Sequence, residues 1–206
     1  ESLKRLGTDY IDVYFAHVDD AATPLEESLT AFSRLVEAGK VRSIGASNYT
    51  ADRLRSALEV SEQKALPRYE VLQPRYNLHD RQDFESGLGK VAQEQEIGVV
   101  CYFALASGFL TGKYRSAEEA AESNRAGMLA NYFDDRGMRI LSAMNKIAEE
   151  LAATPAQIAL AWLMARPGVT APIASATSVE QLDDIMKAAR LELPEEVLGR
   201  LEEASA

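Results

Sequence analysis

Two hydrophobic patterns alternate along the chain. Short and almost continuous apolar runs of strand length are separated by longer segments in which apolar residues recur with helical spacing. The first run, residues 9–17 (DYIDVYFAH), is rich in β-branched and aromatic residues, which is typical of a buried strand. Four further strands are predicted in the same way at residues 41–46, 70–73, 97–103 and 169–173.

A helical pattern follows each predicted strand. Thr23-Pro24 and Thr154-Pro155 each place a capping threonine before a proline at the first helical position, and Thr50 is a third expected cap. Helices are predicted at 23–37, 49–64, 83–95, 136–151, 155–165 and 178–190, with a short terminal helix that begins at Pro194.

Five strand–helix units in a row indicate an α/β fold with a parallel sheet and right-handed crossovers. A doubly wound open sheet and a (β/α)8 TIM barrel both fit this pattern. A full barrel needs about 250 residues, so five units plus a terminal helix correspond to strands 4–8 of a barrel. Residues 1–6 resemble the end of a helix closed by a left-handed Gly7, and we expect residues 1–206 to be a single, N-terminally incomplete barrel domain. The polar segment 115–135 is expected to be either a mobile surface loop or a lid over the site.

Composition narrows the functional classes. The chain has 22 basic and 32 acidic residues, a formal net charge of −10, which argues against nucleic acid and anionic membranes as partners. Its single cysteine, Cys101, cannot form an internal disulfide and so fits a reducing cytoplasm. The longest weakly polar run, residues 97–110, is too short for a transmembrane helix, and no signal-like segment begins the chain. We therefore expect a cytoplasmic protein.

Catalytic groups in parallel α/β proteins collect at the C-terminal ends of the strands. His17 ends the first strand on its inward-facing side, where it is either functional or a hydrogen-bonded structural histidine. Asp12 lies on the opposite side of that strand, and a buried structural ion pair with Arg42 is expected. Ser47 and Asn48 end the second strand, where they serve either as polar groups of a site or as helix-entry residues.

The remaining strand ends are also polar. Gln73 ends the third strand and offers an amide to a site, whereas His79 follows in a charged loop and is expected to be solvated. Residues 102–114 (YFALASGFLTGKY) and 172–184 (PIASATSVEQLDD) contain the small, hydroxylated and basic residues that bind phosphate in barrel loops. Two histidines and one cysteine without metal-ligand spacing make a zinc site improbable.

Five segments in order and spacing resemble the aldo-keto reductase family: LGTDYIDVYFAH, GKVRSIGASNY, VLQPRYN, YFALASGFLTGKY and APIASATSVEQL. The resemblance runs along essentially the whole chain. It implies a (β/α)8 barrel that uses a nicotinamide cofactor, usually NADPH, to reduce aldehydes and ketones.

The resemblance also implies residue roles. His17 matches the active-site histidine at the end of the fourth barrel strand, and Ser47, Asn48 and Gln73 match residues that hold the nicotinamide carboxamide. Tyr102 matches the aromatic that stacks on the nicotinamide ring. The segment that wraps the pyrophosphate is matched by Leu105, Ser107 and Lys113. The positions around the adenosine end are matched by Thr177, Gln181 and Asp184.

The chain departs from the family pattern in two places. The family's catalytic tetrad is Asp, Tyr, Lys and His, and only the histidine has a counterpart here. Since the tyrosine is the proton donor, worth about 10²–10⁴ in rate, the chain as given is expected to be inactive alone. In addition, residues 174–181 (ASATSVEQ) lack the cation that many relatives place near the 2′-phosphate. NADP is still expected, with NAD as the alternative, because the hydroxyls of Ser175 and Thr177 can hydrogen-bond a phosphate.

The resemblance therefore implies an NADP(H)-dependent carbonyl reductase that acts on a small-molecule substrate, and it leaves room for a homo-oligomer. The alternative is a non-catalytic nicotinamide-binding regulatory subunit of the same fold. A phosphate-binding lyase on a similar barrel is less well supported, since it would need a Schiff-base lysine or metal ligands at a strand end.

Overall fold

A computed structural model describes residues 1–206. The chain forms two compact units, of which the first comprises Glu1–Pro74 and Gln82–Val100. The second unit comprises Arg75–Arg81 and Cys101–Ala206. No helix in the structure is long and apolar enough to cross a lipid bilayer.

The first unit is built around parallel strands. They pair in chain order, with Phe15 beside Gly45 and Ser47 beside Gln73, so the C-terminal ends of the first three lie at one edge of the sheet. This confirms the α/β class with a parallel sheet. The strands are β1 (Ile11–Ala16), β2 (Val41–Ser47), β3 (Tyr69–Gln73) and β4 (Gly98–Cys101).

Local sequence signals set most helix ends in this unit. Gly7 adopts φ 67° and ends the first helix, while the Thr50 side chain accepts a hydrogen bond from the Arg53 amide and caps the third. Both features are as the sequence predicts. The helices are α1 (Ser2–Leu6), α2 (Leu25–Glu37), α3 (Ala51–Lys64) and α4 (Gly89–Glu94).

Two helix predictions need correction. Thr23 does not cap α2: Pro24 occupies the N-cap position, and the Thr23 hydroxyl donates instead to Asp20 Oδ2 at 2.7 Å. The helix predicted at 83–95 is interrupted as well, because Phe84–Leu88 forms a separate π-helical turn before α4. The Gly87 backbone is not helical, which breaks the regular hydrogen-bond ladder there.

The Asp12–Arg42 ion pair forms between β1 and β2, with Nη1 and Oδ1 2.7 Å apart. Its predicted burial is wrong, since the two side chains remain 71% and 60% exposed. Asp12 and Tyr14 are exposed, whereas Ile11, Val13 and Phe15 on the other face are half-buried. The alternation of the strand is therefore as predicted, but its polar face meets solvent.

The second unit is mainly helical. Thr154 and Gln157 form the capping box that begins its largest buried helix, and Pro155 occupies the first turn, as predicted. The segment 115–135 contains helices rather than only loop. The elements are α5 (Ala117–Ala121), α6 (Ala126–Leu129), α7 (Asp135–Glu150), α8 (Pro155–Met164), β5 (Ala171–Pro172), α9 (Val179–Met186) and α10 (Glu195–Ser205), with 3₁₀ turns at Ala106–Thr111, Ala130–Tyr132 and Lys187–Arg190.

The core of the second unit surrounds Trp162, which is fully buried. Its indole N–H donates to Glu202 Oε1 of α10 at 3.3 Å, and Glu202 also pairs with Arg81 and Arg166. The carboxylate thereby satisfies an indole donor and two guanidinium groups at once. This arrangement attaches the C-terminal helix to α8.

Candidate functional site

The ends of β1, β2 and β3 are joined by side-chain hydrogen bonds. Ser47 Oγ donates to the Gln73 carbonyl at 2.9 Å, and Asn48 Nδ2 lies 3.2 Å from Ser47 Oγ. The same Asn48 amide donates to the His17 carbonyl at 2.8 Å. Four residues predicted from three separate sequence segments, His17, Ser47, Asn48 and Gln73, thus meet in the first unit.

The backbone makes this meeting possible. A Cβ at Gly45 would lie 2.5 Å from the Phe15 ring and 2.9 Å from the Val71 carbonyl, so only glycine permits the observed strand packing. Asn48 adopts the left-handed conformation (φ 57°), which its short polar side chain tolerates better than most. This turn directs the chain from β2 into α3. Ser47 and Asn48 were predicted to be either helix-entry residues or polar groups of a site. Thr50 is the residue that caps the helix, so the side chains of Ser47 and Asn48 belong to the strand-end cluster.

His17 follows the last residue of β1 and is exposed. Its backbone is held by Asn48, and the exposed imidazole is available to a ligand. A neutral or protonated imidazole N–H can donate a hydrogen bond to a carbonyl oxygen. The position therefore suits the role that the sequence resemblance implies.

The second unit contains a cavity of about 890 Å³. Small-molecule and cofactor sites typically have volumes of about 300–1,000 Å³. Tyr102 is not among the lining residues, and its ring stands edge-on to Phe103, with centroids 5.4 Å apart; Phe103 does line the cavity. Six of the seven cofactor residues predicted in this unit line the cavity: Leu105, Ser107, Lys113, Thr177, Gln181 and Asp184.

The loop after β4 turns tightly through three residues with positive φ. Ala106, Ser107 and Gly108 have positive φ values of 47°, 57° and 100°, and the Gly108 amide donates to the Leu105 carbonyl at 2.8 Å. A Cβ at Gly108 would come within 3.1 Å of Lys113 Cε, so the lysine stem occupies the space that glycine leaves. The Ala106 amide likewise donates to the Phe103 carbonyl at 2.8 Å, so the turn is closed by its own hydrogen bonds. The side chains of Ser107 and Lys113 line the cavity beside it, and their hydroxyl and ammonium groups fit a nucleotide pyrophosphate.

Arg125 is a cavity residue that the sequence reasoning missed. It lies in the 115–135 segment, and its Nη1 donates to the Ser107 carbonyl at 3.2 Å. Met128 of the same segment also lines the cavity and approaches Ser107 Oγ through its sulfur at 3.8 Å. The segment thus supplies a cation to the cavity that residues 174–181 lack. Its only sequence signal was the long polar insertion after a predicted phosphate loop.

The predicted adenosine-end residues are already hydrogen-bonded within the protein. Gln181 Oε1 accepts from the amide and hydroxyl of Thr177 at 2.9 and 3.0 Å. Asp184 accepts from Thr154 Oγ1 at 2.9 Å and from Gln157 Nε2 at 2.6 Å. Asp184 therefore joins α9 to the cap of α8, and it borders the cavity as an anchored carboxylate.

A second polar cluster in this unit surrounds Asp80. Tyr132 donates its hydroxyl proton to Asp80 Oδ2 at 2.6 Å, and Arg75 Nε and Asn77 Nδ2 donate to the same oxygen at 2.9 and 2.8 Å. Burial opposes ionisation of Asp80, but hydrogen bonds from His79, Tyr132 and Asn77 outweigh it and hold its pKa well below the ordinary value. Burial likewise raises the pKa of Tyr132 to about 12.

His79 belongs to this cluster, so its predicted solvation is wrong. Its Nε2 lies 3.2 Å from Asp134 Oδ1, and its ring packs edge-on against Tyr132 at 5.0 Å. The carboxylates of Asp80 and Asp134 raise the pKa of His79 against the opposing effect of burial. Of the charged sequence neighbours that suggested a solvated loop, Asp80 is a partner of the imidazole, and Asp134 approaches it from a distant segment.

Comparison with known proteins agrees with the resemblance. The family model described as Aldo/keto reductase family matches residues 1–206. The chain is 33% identical to the aldo-keto reductase yakc [NADP(+)] of Schizosaccharomyces pombe, over 98% of this chain and 59% of that protein. It is 35% identical to a probable voltage-gated potassium channel subunit beta of Arabidopsis thaliana, over 91% of this chain and 58% of that protein.

A solved structure extends the agreement to the fold. A thermostable aldo-keto reductase in complex with the inhibitor epalrestat superposes with a TM-score of 0.76 at 30% identity. That match covers 98% of this chain and 63% of the solved one, and it confirms the barrel class over the doubly wound alternative. The chain thus spans less than two thirds of the length of each of these proteins.

Proposed function

Because the chain belongs to the aldo/keto reductase family, we propose that this protein transfers a hydride between a nicotinamide cofactor and the carbonyl carbon of small aldehydes or ketones. The observation that carries the proposal is the cavity of the second unit. Residues from segments far apart in sequence converge there, and they include the hydroxyl of Ser107 and the cations of Lys113 and Arg125, which can bind phosphate.

In this proposal the chain binds and orients, and a bound nicotinamide cofactor supplies the hydride. In the second unit, Ser107 and Lys113 bind the pyrophosphate of that cofactor. His17 donates a hydrogen bond to the substrate carbonyl oxygen, where negative charge develops as the hydride arrives. That donor orients the carbonyl and stabilises the charge.

The test of this role compares two histidines. In a chain that also carries the family's catalytic Asp, Tyr and Lys, His17→Ala is expected to lower kcat/KM for a small aldehyde while the dissociation constant for NADPH stays nearly unchanged. His79→Gln is the matched control, since His79 lies in the Asp80 cluster rather than at a strand end. NADPH oxidation with a panel of aldehydes measures both variants, and an unchanged kcat/KM in His17→Ala would refute the role.

We propose NADP rather than NAD as the cofactor. The support is electrostatic: Lys113 and Arg125 both line the cavity, so the cation missing from 174–181 is supplied from another segment. Arg125→Ala is expected to weaken NADPH binding about 10- to 100-fold and NADH binding little, since a charged hydrogen bond contributes about 1.5–3 kcal/mol. Arg115→Ala, an exposed arginine of the same segment outside the cavity lining, is the control. Equal losses for both cofactors would refute a contact between Arg125 and the 2′-phosphate.

A second candidate is a nicotinamide-binding regulatory subunit without turnover. It is favoured by the similarity to a probable voltage-gated potassium channel subunit beta, a name that makes that protein part of a channel assembly. The two candidates differ in one measurement, NADPH oxidation in the presence of carbonyl substrates by a chain that also carries the family's catalytic Asp, Tyr and Lys. Tight NADPH binding without oxidation across every aldehyde and ketone would favour the regulatory subunit.

We further propose a cytoplasmic setting and a small-molecule substrate. The net charge of −10 supports the absence of nucleic acid as a partner. Cys101 is fully buried, and burial raises the pKa of its thiol to about 12, so it is a poor nucleophile and needs no oxidising compartment. Fractionation of cells that express the protein checks the location.

A further inference from the structure

An ion pair stands beside the strand-end cluster of the first unit. Arg53 Nε donates to Asp19 Oδ2 and Arg53 Nη2 donates to Asp19 Oδ1, both at 2.8 Å. The carboxylate is 14% exposed and the guanidinium 29% exposed, in contrast to the Asp12–Arg42 pair on the same sheet. Two parallel charge-assisted bonds between planar groups fix orientation as well as distance.

The arginine is anchored at its other end. Its amide donates to Thr50 Oγ1, the cap of α3, so its backbone belongs to a formed helical turn. Its guanidinium therefore extends from a rigid element rather than from a loop. The hydrogen bond with Asp19 raises the pKa of Arg53, so the guanidinium stays protonated.

Asp19 lies two residues after His17 in the connection that follows β1. The same connection is held at His17 itself by Asn48, through the carbonyl oxygen. Beyond Asp19 it is held locally, since Asp20 accepts from the Ala22 amide at 3.0 Å. The chain is thus held at the His17 carbonyl, at the Asp19 side chain and, by a local turn, at Asp20.

We propose that Arg53 is a positioning residue for His17, an inference that rests on the proposed function of that histidine. The hydrogen bond from Asn48 fixes the position of the His17 backbone at the strand end. The Asp19–Arg53 pair fixes the direction of the chain after His17. Together they restrict the backbone dihedrals that aim the imidazole. Arg53 acts through Asp19 and touches no substrate.

A lysine at this position would keep the charge but not the geometry. An ammonium group is a point charge that cannot form two parallel bonds to one carboxylate in a fixed plane. Misplacement of a positioning group by about 1 Å costs about 100-fold in rate. We therefore expect Arg53→Gln to lower kcat/KM about 10- to 100-fold and Arg53→Lys to give an intermediate loss.

The experiment measures His17 directly as well as turnover. The imidazole C–H signal of His17, identified by its loss in His17→Gln, is recorded by NMR in wild type, Arg53→Gln, Arg53→Lys and Asp19→Asn. The expected result is a shifted or broadened His17 signal and a lower kcat/KM in Arg53→Gln, with the NADPH dissociation constant unchanged. Arg42→Gln is the matched control, because it breaks an exposed ion pair between β1 and β2 and should alter neither readout.

The outcomes separate the two proposals. A wild-type His17 signal and wild-type kcat/KM in Arg53→Gln would overturn the positioning role. An altered signal with unchanged turnover, in a protein in which His17→Ala is also fully active, would support the positioning role and refute the proposed function. If Arg53→Gln fails to fold, Arg53→Lys and Asp19→Asn give the same two readouts, and wild-type values in both would overturn the inference.

Discussion

Replacing Tyr132 with phenylalanine tests the Asp80 cluster by removing a single oxygen. The ring is fully buried and stacks on Phe109 at 5.5 Å, and phenylalanine preserves both features. The hydroxyl donates to Asp80 at 2.6 Å and accepts from Arg75 Nη2 at 2.8 Å. The substitution therefore opens no sizeable cavity, and its cost comes from hydrogen bonding alone.

The two bonds are not of equal weight. Arg75 is 46% exposed and can be rehydrated, whereas Asp80 is only 22% exposed and cannot easily replace its lost donor. A hydrogen bond to a charged group contributes about 1.5–3 kcal/mol. Because Asn77 and Arg75 still donate to Asp80, we expect the lower part of that range, about 2 kcal/mol of unfolding free energy.

Urea unfolding at two pH values measures this loss. The pKa of Asp80 is depressed in the folded state, so its stabilisation is present above the unfolded pKa of about 3.9 and is lost as pH falls below it. Without the Tyr132 hydroxyl the depression is smaller, so the difference between wild type and variant should persist from pH 7 to about pH 4 and shrink only as pH falls through the folded pKa of the variant. Tyr14→Phe, on the exposed face of β1, is the control. A loss below about 0.5 kcal/mol, or one that already disappears between pH 7 and about pH 4, would refute the reasoning.

Three further predictions concern the second unit. Because Asp80 and Asp134 raise the pKa of His79, the stabilisation that the imidazolium contributes is present below about pH 6.5 and is lost as pH rises through the folded pKa. The unfolding free energy of wild type relative to His79→Gln should therefore fall from about pH 6 to about pH 8.5. A constant difference would contradict this. Gly137→Ala should cost about 1–3 kcal/mol, since its Cβ would lie 1.8 Å from the carbonyl of residue 132, whereas Gly199→Ala, with open space in helix α10, should stabilise by up to about 1 kcal/mol; equal urea midpoints would contradict both. Thr154→Ala removes the α8 cap and a donor to α9, so calorimetry should show a lower Tm for a loss of about 1–2 kcal/mol, and an unchanged Tm would show that the cap is dispensable.

Local chemistry is what the sequence determined by itself. Gly7, Thr50 and the Thr154-Pro155 pair act on backbone groups a few residues away, so their helix ends could be predicted without knowledge of the fold. The apolar runs likewise predicted all five strands, because β-branched and aromatic residues in runs of strand length favour the extended backbone. The strand-end residues His17 and Gln73 followed from the parallel order, which places carboxyl ends at one edge.

Long-range partners were decided only by the tertiary structure. His79 looked solvated because its sequence neighbours are charged, yet Asp134 reaches it from a position 55 residues away. Arg125 could not be assigned to the cavity, since its contact with Ser107 depends on helices that form within a polar segment. The sequence also did not determine the exposure of the Asp12–Arg42 pair. The alternation of side chains along β1 assigns residues to two faces of the strand, but it does not state which face contacts water.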